Sequence, residues 1–195
     1  GQLAAFWRNQ FKLPVIGITG SNGKTTVKEM VAAILRKATW IKESSVVQPN
    51  DPVLATEGNL NNDIGVPLML LRLRQHHQYA VFEMGMNHIG EIAYLTQLVK
   101  PDVALITNAG NAHIEGFGSI EAVARAKAEI FQGLRHQGTA IINADDTYAP
   151  LWRDYASSYP KIDFGLRQPA QISATYQMNA LTSQMQLKLP DGEVT

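Results

Sequence analysis

The sequence predicts an α/β fold: a mostly parallel sheet of P-loop type flanked by helices, with a small antiparallel β-rich C-terminal segment. Between residues 14 and 157, short apolar runs alternate with stretches of helical period, a pattern typical of βαβ units. From residue 172 onward, apolar and polar residues alternate singly, as they do in half-buried antiparallel strands. These two observations carry the fold class.

The composition restricts the class of function. The chain has 195 residues, of which 45% are hydrophobic, a length that suits one domain with a sizeable core. Seventeen basic residues balance seventeen acidic ones, and the sequence has no cysteine. The charge balance argues against recruitment of nucleic acid or a membrane surface, and the lack of cysteine excludes disulfides and thiolate metal sites. No apolar run reaches the roughly 18 residues of a membrane span, so we expect a cytoplasmic, monomeric domain that acts on a small molecule.

The predicted elements follow in chain order. Residues 1–12 are expected to form a short helical lead-in, and the apolar run 14–19 a buried strand. A helix follows from Lys24 to about Lys37, because apolar residues recur there at spacings of three and four. Residues 39–56 are interpreted as a polar loop with room for one short strand. The remaining predictions are strands at 79–83, 102–107 and 138–143, helices at about 88–99, 119–134 and 147–157, and a final hairpin with strands at 172–176 and 185–189, a turn at 190–192 and a returning strand at 193–195.

The segment between the first strand and the first helix is the main functional motif. Residues 19–26 read TGSNGKTT, and glycines in such a place let backbone N–H groups point at phosphate oxygens. Lys24 would reach the β- and γ-phosphates, and the Thr25 hydroxyl would bind Mg²⁺. The strict pattern G-x-x-x-x-G-K-[ST] fails at Ile18, so the motif predicts a tighter variant of the loop. The alternative is a plain glycine-rich turn.

Three further residues are candidates for the same site. Glu83 ends a predicted strand, where a carboxylate could hold the metal ion of a phosphate loop; the alternative is a surface charge. His113 follows strand 102–107 at the carboxyl edge, where open α/β sheets bind ligands; the alternative is a polar loop residue. Lys127 lies on the apolar stripe of helix 119–134, where a bare ammonium is unfavourable; the alternative is a side chain that reaches past the stripe to solvent.

Three segments together resemble the Mur ligase family. They are the loop 19–26, the run TEGNLNNDIGVP at 56–67 and the run EMGMNHIGEI at 83–92. Residues 112–119 and 126–131 extend the resemblance, which covers 14–145 well and the β-rich tail loosely. Within the family, the last two of the three main segments are similar to the branch that joins D-alanyl-D-alanine to UDP-N-acetylmuramoyl-tripeptide in peptidoglycan precursor synthesis.

The resemblance implies a domain organisation and a set of site residues. Residues 1–12 would be the lead-in from an N-terminal domain, and 13–195 the central ATP-binding domain, incomplete at its C-terminal end. Lys24, His113 and Lys127 would be catalytic. Thr25 and Glu83 would hold one Mg²⁺, and His113 a second one together with Lys127 as a carbamate, since this lysine is often carbamylated in the family. ATP would be bound by Gly20, Ser21, Asn22, Gly23, Lys24, Thr25 and Thr26, and the nucleotide-linked peptide by Asn59, Asn61 and Asn62, whose alternative role is to form turns.

The implied reaction is ATP-dependent amide formation through an acyl phosphate. The chain alone is expected not to catalyse it, because the domain that presents the dipeptide would be missing. Two other enzymes remain open, namely another Mur ligase or a folylpolyglutamate synthase-like amino-acid ligase. A nucleotide-dependent switch or kinase, and a domain that binds nucleotide without turnover, are the alternatives of another class.

Overall fold

One mixed sheet organises the chain. Its strands are β1 (Val15–Thr19), β2 (Val53–Ala55), β3 (Tyr79–Glu83), β4 (Val103–Ile106), β5 (Thr139–Asn143), β6 (Lys161–Gly165), β7 (Ile172–Met178), β8 (Ser183–Leu189) and β9 (Gly192–Val194). The computed structural model describes residues 1–42, 51–110, 114–179 and 182–194. In those ranges the strand order is β2-β3-β1-β4-β5-β6-β7-β8-β9. Neighbours are parallel from β2 to β7 and antiparallel for the pairs β7–β8 and β8–β9, which confirms the predicted fold class.

The helices pack on this sheet. They are α1 (Gln2–Arg8), α2 (Lys24–Lys42), α3 (Gly65–Leu70), α4 (Glu91–Val99), α5 (Ile114–Phe117), α6 (Ile120–Ala128) and α7 (Ala149–Tyr155), with a 3₁₀ helix at Glu129–Gly133 after α6. None of the helices in the described part of the chain combines the length and apolarity needed to cross a bilayer.

The two faces of the sheet bury different residues. On β3, Ala80 and Phe82 belong to a large apolar cluster that includes residues of α1, α3, α4, α6 and α7. Val81 points the other way, into a smaller cluster with Ile18 of β1 and Ala32 of α2. This alternation follows from the two-residue period of a strand. Helix α2 packs on this second face, and the loop that joins β1 to α2 lies at the carboxyl edge of the sheet because it directly follows β1.

The first helix packs into the same core as the sheet. Arg8 is buried, and its guanidinium donates to the carbonyls of Val99 at 2.8 Å, Phe11 at 2.8 Å and Lys100 at 3.3 Å. The Trp7 indole N–H donates to the Leu73 carbonyl at 3.2 Å. A buried charge is tolerated when carbonyls satisfy its donors, so these contacts fix α1 against α4.

The structure departs from the predicted elements in five places. Helix α2 extends to Lys42 rather than ending near Lys37, and the predicted helix 119–134 is α6 followed by the 3₁₀ helix. The pattern did not predict α3, α5 or β6. All three are short, and each packs against other elements of the fold. Within the loop 39–56, β2 is the short strand; residues 43–50 of that loop lie outside the described residues.

Candidate active site

The phosphate loop is fastened to the end of β4. The backbone N–H groups of Ser21 and Asn22 donate to the carbonyl and side-chain oxygens of Asn108 at 2.9 and 3.0 Å. The Thr107 hydroxyl donates to the Asn22 carbonyl at 2.7 Å. Gly20 has φ +150°, and a Cβ there would collide with that hydroxyl. The loop therefore needs glycine at this position, both for its backbone conformation and for the close approach of β4.

Lys24 folds back over the loop that precedes it. Its ammonium donates to the Gly20 carbonyl at 2.8 Å and to the Ser21 carbonyl at 3.3 Å. Burial lowers the pKa of Lys24, and the Glu83 carboxylate partly offsets this. The ammonium thus lies at the mouth of the loop, where the N-terminal end of α2 already favours an anion.

Glu83 lies beside the loop, as the sequence predicts. Parallel pairing of β1 with β3 sets Ile18 opposite Glu83, and the Glu83 residue is 2% exposed. The Thr25 hydroxyl donates to its Oε2 at 2.8 Å, and the Asn61 amide donates to its Oε1 at 2.8 Å. A buried carboxylate with a hydroxyl and an amide oxygen nearby offers the hard oxygen ligands that Mg²⁺ prefers.

The metal ligands from this chain would be few. Among the described residues there is no group of three or more His, Asp or Glu side chains that could hold a metal. Mg²⁺ commonly keeps several waters and takes one or two carboxylates together with substrate phosphates. Thr25 and Glu83 fit that mode of binding, in which a phosphate chain on the loop completes the coordination.

Lys127 faces the same site from α6. It is 2% exposed, and in the part of the chain that the structure describes no group accepts a hydrogen bond from its ammonium. Burial, and to a lesser extent the positive charge of Lys24, lower the pKa of Lys127 to about 7. The alternative of a side chain that reaches solvent is therefore wrong. A lowered pKa brings the neutral, nucleophilic form of this amine closer to physiological pH.

Lys24 and Lys127 line one cleft of about 210 Å³. It lies between the phosphate loop, the segment after β2 and the segment after β3. Its walls are formed by Gly20, Lys24, Asn61, Asn62, Asp63, Gly85, Met86, Asn87, Glu91 and Lys127.

The remaining predicted residues have different placements. Asn61 and Asn62 reach the cleft, but the Asn62 carboxamide oxygen also accepts from the N–H groups of Ile64 at 3.2 Å and Gly65 at 2.7 Å. That contact orders the start of α3, so Asn62 forms a turn as well as part of the wall. Asn59 and Thr26 are exposed, and neither is among the residues that line the cleft. His113 lies outside the described residues.

Three charged residues in or near the cleft were not among the predicted site residues. The Glu91 carboxylate accepts from the backbone N–H of Asn87 at 2.6 Å and so shapes the segment after β3. The Glu129 carboxylate is buried and accepts from the N–H groups of Gly90 and Ala93, at the start of α4. Lys28 is buried in α2. A usable signal existed for Lys28, since it follows Lys24 by four residues and therefore shares its helix face.

Fold and site together define a class of protein. A glycine-rich loop between a parallel strand and a helix, with a lysine at its mouth and a carboxylate at the end of the neighbouring strand, is a P-loop nucleotide-binding domain. The family model for the Mur ligase middle domain matches residues 18–195. The chain belongs to the Mur ligase family.

Individual relatives agree with this assignment. The chain is 48% identical over 159 residues to the UDP-N-acetylmuramoyl-tripeptide–D-alanyl-D-alanine ligase of Haemophilus influenzae, a match that covers 82% of this chain and 33% of that protein. The crystal structure of MurF from Acinetobacter baumannii superposes with a TM-score of 0.87 at 42% identity, over 99% of this chain and 40% of that one. MurF ligase from Thermotoga maritima in complex with ADP gives a TM-score of 0.82 at 27% identity, over 99% of this chain and 42% of that one. The chain thus spans about a third of the length of the curated relative.

Proposed function

We propose that this chain is the ATP-binding core of a cytoplasmic, monomeric ligase that joins D-alanyl-D-alanine to UDP-N-acetylmuramoyl-tripeptide. One observation carries the proposal: Lys24, Asn61 and Lys127 come from three separate segments and line one cleft beside the phosphate loop, and the buried Glu83 carboxylate accepts from the Asn61 amide at 2.8 Å directly behind it. A cleft that combines a phosphate-binding lysine with asparagines suits a reaction between ATP and a polar acid. The names of the relatives supply the substrates.

The main chemical role of these residues would be to neutralise negative charge on the ATP phosphates. The terminal carboxylate of the tripeptide attacks the γ-phosphorus of ATP, which gives an acyl phosphate and ADP. The amine of D-alanyl-D-alanine then attacks the acyl carbon, loses its proton, and inorganic phosphate leaves. Two anions must approach each other in the first step. Lys24 and the backbone N–H groups of residues 20–26 would bind the phosphates and lower that barrier.

Thr25 and Glu83 would hold a Mg²⁺ ion. Such an ion supplies positive charge to the phosphate oxygens when it is bound. In the described structure the Thr25 hydroxyl donates to Glu83 at 2.8 Å, so the two oxygens already lie close enough to share one small cation. This contact also orients the Glu83 carboxylate toward the loop.

A second Mg²⁺ site would involve Lys127 and His113. The neutral Lys127 amine can attack the carbon of CO₂, and loss of one proton leaves a carbamate on Nζ. The buried cation becomes an anion with two oxygens, a ligand that Mg²⁺ accepts. The lowered pKa of Lys127, about 7, supports this proposal because only the neutral amine reacts. Asn59, Asn61 and Asn62 would contact the nucleotide-linked peptide.

The domain organisation is part of the proposal. Residues 13–195 would form the central domain and residues 1–12 the segment that leads into it from a further domain. The chain by itself would bind nucleotide without forming the amide, because dipeptide presentation would depend on segments beyond those seen here. The three relatives described above, of which this chain covers 33 to 42%, have the length for such segments.

An acceptor panel tests the proposed activity. The complete ligase is incubated with ATP, Mg²⁺ and UDP-N-acetylmuramoyl-tripeptide, and phosphate release is measured with D-alanyl-D-alanine, single amino acids or no amine. We expect amide product and phosphate release with D-alanyl-D-alanine and neither with the Lys24→Ala variant. In a parallel reaction, a folate acid replaces the nucleotide-linked peptide, and amide formation with glutamate there would indicate the folylpolyglutamate type instead. A phosphorylated product without an amide would indicate a kinase.

A further inference from the structure

Lys28 is a buried cation that the proposed chemistry does not use. Lys28 is 1% exposed, and it lies on α2 one turn beyond Lys24. The ammonium donates to the Thr56 carbonyl at 2.6 Å and forms an ion pair with Glu29 at 2.6 Å. Like charges four residues apart on a helix repel each other, and burial of an ammonium is costly. A lysine at this position therefore calls for a role beyond filling the core.

Thr56 connects Lys28 to the end of β3. It follows β2 directly and is also buried. Its backbone N–H donates to the Val81 carbonyl at 3.0 Å, and its hydroxyl accepts from the Glu83 backbone N–H at 3.0 Å. Whatever holds the Thr56 backbone in place therefore also sets the position of the Glu83 main chain.

The contacts close into a circuit. Thr25 of α2 donates to the Glu83 carboxylate, the Glu83 N–H donates to Thr56, and Lys28 of α2 donates to Thr56. Thr25 and Lys28 are three residues apart on one helix, so the circuit begins and ends on the same turn.

The same circuit positions the segment that carries the asparagines. Thr56 begins residues 56–62, and this segment returns to β3 at Asn61. The Asn61 carbonyl accepts from the Gly85 N–H at 2.8 Å, and its amide donates to the Glu83 carboxylate at 2.8 Å. Lys28 holds the first residue of the segment, and Glu83 holds its far end.

We propose that Lys28 is a positioning residue: by fixing the Thr56 carbonyl to α2, it sets the Glu83 carboxylate and Asn61 against the phosphate loop. This inference rests on the proposed function. A lysine suits the role because its long stem spans the gap between helix and strand end, and its charge strengthens the hydrogen bond to the carbonyl. Loss of Lys28 would loosen the metal carboxylate without touching any phosphate or substrate atom.

The test is the Mg²⁺ dependence of two signals in the complete ligase. Lys28→Met keeps the volume of the stem and removes the donor. We expect the Mg²⁺ concentration for half-maximal ligation to rise about tenfold, with the KM for D-alanyl-D-alanine unchanged within about twofold. Mg²⁺-dependent binding of ADP, followed by calorimetry, should shift by the same factor. A merely structural role would lower the active fraction, and therefore kcat, but would leave both Mg²⁺ dependences unchanged.

Two further variants keep the test decisive. Glu29→Gln removes the ion-pair partner, whose side chain is 61% exposed, and leaves the Thr56 contact, so we expect wild-type Mg²⁺ dependence. Thr56→Val breaks the next link and should shift the Mg²⁺ dependence in the same direction as Lys28→Met. If Lys28→Met does not fold, the Thr56→Val variant provides the test. Unshifted Mg²⁺ dependence in a folded Lys28→Met protein, or in Thr56→Val, would overturn the inference. Absence of amide product in the wild type would instead refute the proposed function. The Mg²⁺ dependence of ADP binding, measured by calorimetry, would still test the positioning role of Lys28.

Discussion

The Thr25 hydroxyl donates a hydrogen bond of 2.8 Å to the Glu83 carboxylate across a gap of 58 residues in sequence. This contact joins the first turn of α2 to the end of β3. It arises because β1 and β3 are parallel neighbours, so the loop after one strand and the last residue of the other share the same edge of the sheet.

Replacement of Glu83 by glutamine should separate its charge from its shape. The glutamine oxygen can still accept from the Asn61 amide and its NH₂ can donate to the Thr25 hydroxyl oxygen, so the fold should be retained, but the negative charge for Mg²⁺ is lost. We expect the Mg²⁺ concentration for half-maximal ADP binding to rise by at least about tenfold. Glu57→Gln, on the exposed side of the segment after β2, is the matched control and should bind as wild type. Equal Mg²⁺ dependence in the Glu83 and Glu57 variants would remove Glu83 from the metal site.

Replacement of Gly20 by alanine should distort the phosphate loop. Its φ of +150° is strained for any residue with a Cβ, and the added methyl would meet the Thr107 hydroxyl. We expect about 1–3 kcal/mol of lost unfolding free energy and weak ADP binding. Gly110→Ala is the control, because the nearest atoms to its Cβ lie 3.6 and 3.7 Å away, in ordinary contact. Urea denaturation and calorimetry measure both effects. A Gly20→Ala protein as stable as Gly110→Ala would contradict the loop geometry.

The buried Lys127 should destabilise the unmodified protein in a pH-dependent way. Its pKa is about 7 in the folded protein, against the ordinary lysine value of 10.5, so the folded state binds fewer protons than the unfolded state between these values. The penalty is therefore absent above about pH 10.5, grows as the pH falls, and is complete below about pH 7.

Lys127→Met should remove that penalty. In CO₂-free buffer we expect its free energy of unfolding to exceed that of wild type by on the order of a few kcal/mol at pH 6.5, and by less at pH 9.5. Lys37→Met, on the exposed side of α2, should differ from wild type by under about 0.5 kcal/mol at both pH values. A stability difference independent of pH would show that Lys127 does not titrate in this range.

Activity should depend on Lys127 through a carboxylate rather than through its charge. Lys127→Ala should lose most ligation, and acetate or formate should restore part of it by entering the vacated space. Lys127→Arg should stay inactive, because a guanidinium does not form the carbamate. Ligation rates with and without added carboxylate provide the measurement. Full activity in Lys127→Arg would show that the positive charge is what matters.

The local sequence pattern was sufficient to predict where the phosphate loop, Glu83 and Lys127 lie in the fold. The loop follows an apolar strand, Glu83 ends another and Lys127 lies on an amphipathic helix, and a parallel sheet brings the carboxyl ends of its strands to one edge. The four-residue spacing from Lys24 could have drawn attention to Lys28, but its contact with Thr56 could not be foreseen, because only the tertiary structure brings Thr56 beside it. Helix α3 was not predicted for a similar reason. It has only six residues, and the Asn62 side chain orders its start in place of a side chain at the N-cap position itself.

The fate of one oxygen atom tests the central claim most directly. The complete ligase is given ATP, Mg²⁺, D-alanyl-D-alanine and UDP-N-acetylmuramoyl-tripeptide labelled with oxygen-18 in its terminal carboxylate. If that carboxylate attacks the γ-phosphorus at the phosphate loop, the released inorganic phosphate carries one labelled oxygen for each amide formed, and Lys24→Ala releases none. Amide product accompanied by unlabelled phosphate would contradict the account, because the carboxylate oxygen would then never have been bonded to phosphorus.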